Sequence, residues 1–159
     1  MEVKKGVAKL DDMDLRILRA LQREPSLSIA DLASKVGLSH TPCWRRIRRM
    51  ETDGIIEGRA LVLNAELLGY PISVFAEIGI SSHDEKTIAA FEASIQQHPE
   101  IVECFSMSGE SDFLLRIVSA SVADYEAFLK RTLLHLPGIG SVNSRFALKS
   151  VKLTSTLPL

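Results

Sequence analysis

Cysteine is scarce in this 159-residue chain: Cys43 and Cys104 are the only two. Neither a disulfide framework nor a multi-cysteine metal site can be built from them, and a reducing cytoplasm is the expected compartment. Long apolar runs are also missing. No stretch approaches the roughly 18 apolar residues that a membrane helix needs, and the opening Met-Glu-Val-Lys-Lys-Gly has no apolar core of a secretory signal. A one-signed charge is absent too, with 19 Lys and Arg against 20 Asp and Glu and a net charge of −1. Histidine is thin: His40, His83, His98 and His135 are scattered over expected helix ends with no metal-ligand spacing. No set of nucleophile, base and ligands is concentrated anywhere, so the sequence argues against an enzyme and calls for no cofactor.

What is present is an ordinary globular composition, 46% hydrophobic and 25% charged. The length suits one large domain or two small ones, and small domains have thin cores that neighbouring subunits help to complete. The near-zero net charge hides a division. Residues 1–63 carry 12 basic and 9 acidic side chains, whereas residues 64–159 carry 7 and 11. Opposite signs in the two halves point to two different tasks.

The first half reads as three helices. Asp11 with Asp14 makes a capping arrangement, Leu10 and Leu15 stand in staple positions, and Leu15, Leu18 and Leu21 are expected to form one apolar face. Glu24-Pro25-Ser26 breaks that helix. Ser28 with Asp31 opens a second, which Gly37 closes in the left-handed conformation. Ser39 caps a third, with Pro42 in its first turn, running to about Asp53. Ala33, Gly37 and Ser39 have the spacing of a helix-turn-helix. On the third helix Cys43, Ile47 and Met50 share an inward face, while Thr41, Arg45, Arg48 and Arg49 point away. No acid lies between Ser39 and Met50, so the arginine cluster, Arg46 included, reads as a surface for double-stranded DNA, with Arg59 near the tip of a following wing. Trp44 can stack on nucleic acid or cover a neighbouring helix, and His40 can donate to DNA or stand in solvent; the sequence leaves both open. Ile55 to Leu63 reads as a small strand pair, and Asn64 to Pro71 as a capped hinge.

The second half alternates regular elements. Ile72 to Ile80 is a strand; Ser82 with Glu85 caps a helix bearing Ile88, Phe91 and Ile95 and ended by Pro99. Ile101 to Met107 and Phe113 to Val118 are strands joined by a Ser108 to Asp112 loop. Ser121 with Asp124 starts a helix carrying Tyr125, Phe128, Leu129 and Leu133, broken at Pro137-Gly138, and Val142, Phe146 and Leu148 alternate in a last strand. Pro99, Ile101 and Ser82 recur about 38 residues later as Pro137, Ile139 and Ser121, which supports two βαβ units. The expected fold is therefore α+β: a winged helix-turn-helix over residues 1–63, a hinge over 64–71, and a ferredoxin-like βαββαβ sandwich over 72–159. A sheet covered by helices on one face leaves Phe75 and Phe105 on the other, where a second subunit would cover them.

Six blocks in order carry a resemblance to a known family. They are Leu10-Asp11-x-x-Asp14 with Ile17-Leu18, Leu32-Ala33-x-x-Val36-Gly37-Leu38-Ser39, Thr41-Pro42-Cys43-x-Arg45-Arg46-Ile47, Glu51-x-x-Gly54-Ile55-Ile56, Ser108-Gly109-x-x-Asp112-Phe113-Leu114-Leu115, and Leu136-Pro137-Gly138-Ile139. Over nearly its whole length the chain resembles the Lrp/AsnC, or feast/famine, transcription regulators. The resemblance implies an N-terminal winged helix-turn-helix, which makes Ser39, His40, Thr41, Pro42, Trp44, Arg45, Arg46, Arg48 and Arg49 at the third helix, and Arg59 on the wing, the expected DNA-binding residues. It also implies a homodimer assembling into tetramers or octamers, and an amino-acid effector held between subunits at the loop of Met107, Gly109, Glu110, Ser111 and Asp112. Chemically, Asp112 or Glu110 offers a counter-charge to an ammonium, and Gly109 lets a carboxylate approach backbone N–H groups. Two departures stand out: Phe113 replaces a frequent tyrosine, and His40 a common proline. The competing reading is a DNA-organising architectural protein with no small-molecule response.

Overall fold

The computed structural model describes residues 9–159; the opening Met1 to Gly6 segment discussed above lies outside them. Two compact units make up the chain, one of residues up to Leu61 together with Lys152–Leu159, the other Val62–Val151. The sequence reading carried the second domain through to Leu159.

In the first unit, α1 (Asp12–Arg23) begins at a reciprocal cap. The Asp11 carboxylate accepts from the Asp14 N–H at 2.8 Å, and the Asp14 carboxylate accepts from the Asp11 N–H at 3.1 Å. Helix α2 (Ile29–Val36) starts at Ser28, whose hydroxyl accepts from the Asp31 N–H, and stops at Gly37, where φ is +77° and a side chain would be strained. Helix α3 (His40–Thr52) has Ser39 at its cap position, but no side-chain bond is made there, unlike the expected cap. The core joins Ile17, Leu18 and Ala20 to Leu32, Ala33, Val36, Cys43, Ile47 and Met50. Leu15 and Leu21, expected on the apolar face of α1, are only half-buried, because the face is turned toward Ile17.

The expected wing forms no strand pair. Residues 55–63 contain no ladder; instead the Ile55 and Ile56 N–H groups bond to the Met50 carbonyl at 2.8 and 3.1 Å, and both side chains pack on the helical core. Burial of these two isoleucines outcompetes pairing for a segment with no partner strand. Beyond them the chain is extended and exposed to Leu63, then turns at Asn64, whose carboxamide accepts from the Leu67 N–H. The C-terminal segment completes the unit on α1. Gln22 bonds Leu157 twice, accepting from its N–H at 2.6 Å and donating to its carbonyl at 3.3 Å, and Arg19 donates to the Leu159 carbonyl at 3.0 Å.

The second unit is a four-stranded antiparallel sheet in the order β2-β3-β1-β4, with β1 (Ile72–Ile80), β2 (Ile101–Ser106), β3 (Phe113–Ser119) and β4 (Ile139–Phe146). This is the expected ferredoxin-like arrangement. Val74, Ala76, Ile78, Ile80, Leu115 and Ile117 form the covered face, against Phe91 and Ile95 of α4 (Glu85–Ile95) and Tyr125 of α5 (Val122–Arg131). Three local expectations are corrected. Helix α4 is capped by Asp84, which accepts from the Thr87 N–H and hydroxyl; Ser82 only donates to that carboxylate. Those donors, the Thr87 hydroxyl first, lower the Asp84 carboxyl to about 2. The helix before Pro137 already ends at Arg131, with Leu133 in a following 3-10 turn that buries it. Leu148 lies past β4 and is fully exposed, because the ladder with β1 ends at Val74 opposite Phe146.

Phe91 is fully buried and stacks on Phe113 with ring centroids 4.7 Å apart. Phe91→Ala is therefore expected to cost about 3–5 kcal/mol of unfolding free energy in denaturant titration, whereas Leu148→Ala should stay within about 0.5 kcal/mol.

Candidate nucleic-acid interface and ligand loop

The first unit's helix α3 exposes Ser39, His40, Thr41, Pro42, Trp44, Arg45, Arg48 and Arg49. Its arginines divide into two pairs. Arg46 donates to Asp11 at 2.6 Å and to Asp14 at 2.8 Å, and Arg49 also donates to Asp14. Arg45 has no ion-pair partner among the described residues, and Arg48 meets only Glu51 on its own helix, at 3.0 Å. The Arg48 guanidinium also lies over the Trp44 ring, 5.8 Å from its centroid. Trp44 keeps 41% of its surface exposed, so it covers no neighbouring helix completely. Arg59, expected at a wing tip, instead donates to the Pro25 carbonyl at 3.2 Å.

Asp14 is the residue that sequence reasoning missed. Its side chain has no exposed surface. Burial alone would push its carboxyl pKa up; the Arg46 guanidinium, the Asp11 N–H and Arg49 together outweigh that and hold it below its ordinary value. The carboxylate thus ties α1 to α3 and fixes which way Arg46 and Arg49 point. A signal was present: Asp14, Ile17, Leu18 and Leu21 have the i, i+3, i+4, i+7 spacing of a buried stripe, so an acid on that stripe requires buried cations.

The second unit's loop between β2 and β3 is built around Asp112. Its N–H donates to the Ile78 carbonyl at 2.8 Å, and its carbonyl accepts from the Met107 N–H at 2.8 Å, which closes the loop. Both carboxylate oxygens are engaged: Oδ2 accepts from the Ile80 N–H at 2.7 Å and Oδ1 meets His83 Nε2 at 2.6 Å. The Ile80 N–H first, then His83, lowers the Asp112 carboxyl against a small effect of burial. Asp112 is thus an organiser of the loop; a turn capped by Asp112 can be read in the sequence, but its partners cannot, because Ile80 and His83 belong to a different element. Gly109 has φ +129°, a conformation that other residues rarely adopt, and open space where a side chain would go. Glu110 and Ser111 line a hollow of about 430 Å³ whose other walls come from β1 and β4. Met107 is exposed at the foot of the loop.

The division of the arginines has measurable consequences. Arg46→Ala and Asp14→Asn should lower the stability of the helical unit, Asp14→Asn by about 1–3 kcal/mol, less than for a fully buried pair because the arginines retain contact with water. Arg45→Ala should leave the melting temperature unchanged. Because the native Asp14 carboxyl lies below the ordinary 3.8, its contribution is complete above that value. It is lost as the pH falls through the lowered native value. Thermal melts of wild type and Asp14→Asn between pH 7 and 2.5 should therefore converge at the acid end.

Comparison with known proteins agrees with both units. The family model for winged helix-turn-helix DNA-binding matches residues 10–57, and that for the Lrp/AsnC ligand binding domain matches residues 73–157. The chain is 44% identical over 153 residues to the Bkd operon transcriptional regulator of Pseudomonas aeruginosa, covering 96% of this chain and 100% of that protein. It is similar to the crystal structure of an AsnC family transcriptional regulator from Agrobacterium tumefaciens, with a TM-score of 0.88 and 43% identity over 94% of this chain and 97% of that one. A transcriptional regulator of Neisseria meningitidis solved as a complex with L-Met superposes with a TM-score of 0.89 at 33% identity, again over 94% and 97% of the two chains. The chain belongs to the Lrp/AsnC family of DNA-binding transcriptional regulators.

Proposed function

We propose that this protein regulates transcription in the cytoplasm as a DNA-bound homo-oligomer whose affinity or assembly responds to an amino acid held at the Met107–Asp112 loop. The observation that carries the reading is the outward pair Arg45 and Arg48 on α3, beside the exposed Ser39, His40, Thr41 and Pro42 at the helix start. A helix start and two uncommitted guanidinium groups suit a major groove, where arginine reads guanine edges and holds phosphates. Arg46 and Arg49 act on DNA through Asp14, by orienting the helix, and Arg59 contributes charge near Pro25. The complex of the Neisseria relative with L-Met supports an amino acid as the effector class. Phe75 and Phe105, on the uncovered face and 37% and 52% exposed, support a dimer through the sheet, with tetramers or octamers built from it.

A dimer neutralising about six phosphates gives a plot of log affinity against log salt with a slope near −5. Arg45→Ala, removing one contact per protomer, should reduce that slope by about 2. An unchanged slope with the fold intact overturns the assignment of the helix face. The effector is tested by DNA binding with and without each amino acid, where a coupling of about 1–3 kcal/mol changes occupancy several-fold. Gly109→Val strains the loop at its positive φ and should abolish the response while leaving ligand-free DNA binding intact. A bound amino acid that alters neither DNA affinity nor oligomer size, read by light scattering, favours an architectural role.

A further inference from the structure

A cavity of about 450 Å³ lies at the end of the sheet unit where β1 begins. Ser119, in its wall, pairs with Ile72 at the start of β1, whereas Asp112 of the Met107–Asp112 loop bonds Ile78 and Ile80 at the other end of that strand. About 20–25 Å of strand separates the two places. Ile117 and Tyr125, also in the wall, belong to the core between sheet and helices, so the cavity is on the helix side and clear of the uncovered face of Phe75 and Phe105. Tyr70, Tyr125 and Phe128 supply aromatic rings, and the charged side chains are both acids, Glu100 and Asp124; no Lys, Arg or His among the described residues lines it. The inner hydroxyls are already engaged. The Ser119 hydroxyl donates to the Ser121 carbonyl at 3.0 Å, the Tyr125 hydroxyl meets Ser144, and Asp124 accepts from the Ser121 hydroxyl at 2.6 Å. Glu100 differs. Its carbonyl accepts from the Val118 N–H at 2.9 Å, which fixes its place, yet this half-buried residue has no side-chain hydrogen bond or ion pair among the described residues.

We infer that this cavity binds a small organic amine, an ammonium group on an apolar or aromatic body, with the ammonium on Glu100 and the body among Tyr70, Phe128 and Ile117. A carboxylate partly withdrawn from water and without a cation beside it is stabilised by any ammonium that reaches it, and hydrogen bonds between charged groups are the stronger kind. Aromatic faces attract the same charge through the ring quadrupole. The volume is that of a small-molecule site, and the apolar walls of Pro99, Ile117 and Val118 suit a hydrocarbon body more than a bare cation. A carboxylate on the ligand would meet Glu100 and Asp124 with no cation to receive it, so the cavity selects amines that lack one and disfavours free amino acids. In place and in chemistry the site is therefore separate from the amino-acid response proposed above. Tyr70 closes the turn that begins at Asn64, its N–H donating to the Ala65 carbonyl at 2.8 Å, so an occupant also bears on the segment that leads into β1.

Calorimetry on the full chain with phenethylamine and isopentylamine tests this, with phenylpropionate as the anion of matching shape. Both amines should bind, and phenylpropionate should not. Glu100→Gln keeps the shape and removes the charge; it should weaken both amines by about tenfold to a hundredfold while circular dichroism shows the fold unchanged. Tyr70→Leu, which removes one ring and leaves the carboxylates, should weaken them by about threefold. A wild-type protein that binds neither amine overturns the inference. Phenylpropionate bound as tightly as phenethylamine overturns it as well, since the cavity then selects shape and not charge. So does amine affinity that Glu100→Gln leaves untouched, because the ammonium then sits elsewhere.

Discussion

A carboxylate with no exposed surface cannot stay charged without cations, and the helical unit is organised by that requirement. Asp14 draws Arg46 and Arg49 down from α3 onto α1, and the third helix is held at its orientation by charge as well as by the apolar contacts of Cys43, Ile47 and Met50. The arginine cluster is thereby sorted. Two guanidinium groups are tied to Asp14 while keeping contact with water, and two stand free of it, one unpaired among the described residues and one resting over Trp44. What looks in the sequence like a uniform basic surface is two pairs of arginines, one tied to Asp14 and one not.

The second unit repeats the logic with a different partner. Asp112 is anchored by a backbone N–H of β1 and by His83, so its carboxylate shapes a turn while Gly109 keeps the turn open. In both units an acid that sequence reasoning gave a local role acts at long range: Asp14 on residues 32 and 35 positions away, Asp112 on residues 32 and 29 away.

The features legible in the sequence are those with local causes. The caps at Asp11, Ser28 and Ser121, the left-handed Gly37, and the alternation of Ile72 to Ile80 each depend on neighbours within a few residues, and each was readable. The same local reasoning failed where two caps compete, as at Ser82 and Asp84, because the stronger acceptor two residues later recruits the Thr87 hydroxyl as well. It failed for the strand pair expected over residues 55–63 because β-branched residues describe a preference for being buried as much as for pairing, and Ile55 and Ile56 satisfy it against a helix core. The hollow was illegible for another reason. Glu77 meets Asn143 and Arg145 across an antiparallel pair, 66 and 68 residues away, and no pattern within either strand marks them as neighbours.

The docking of Lys152–Leu159 on α1 makes the helical unit discontinuous in sequence, since Gln22 and Leu157 are 135 residues apart. During synthesis its three helices can collapse early, since their mutual contacts fall within one stretch of the chain, but its last strip of backbone arrives only after the whole sheet unit has been made. A polypeptide fused after Leu159 would therefore start from α1 of the helical unit and not from the sheet unit that precedes it in the sequence. Residues 1–63 expressed alone would leave the Gln22 carboxamide and the Arg19 guanidinium facing water in place of the chain they hold in the full protein.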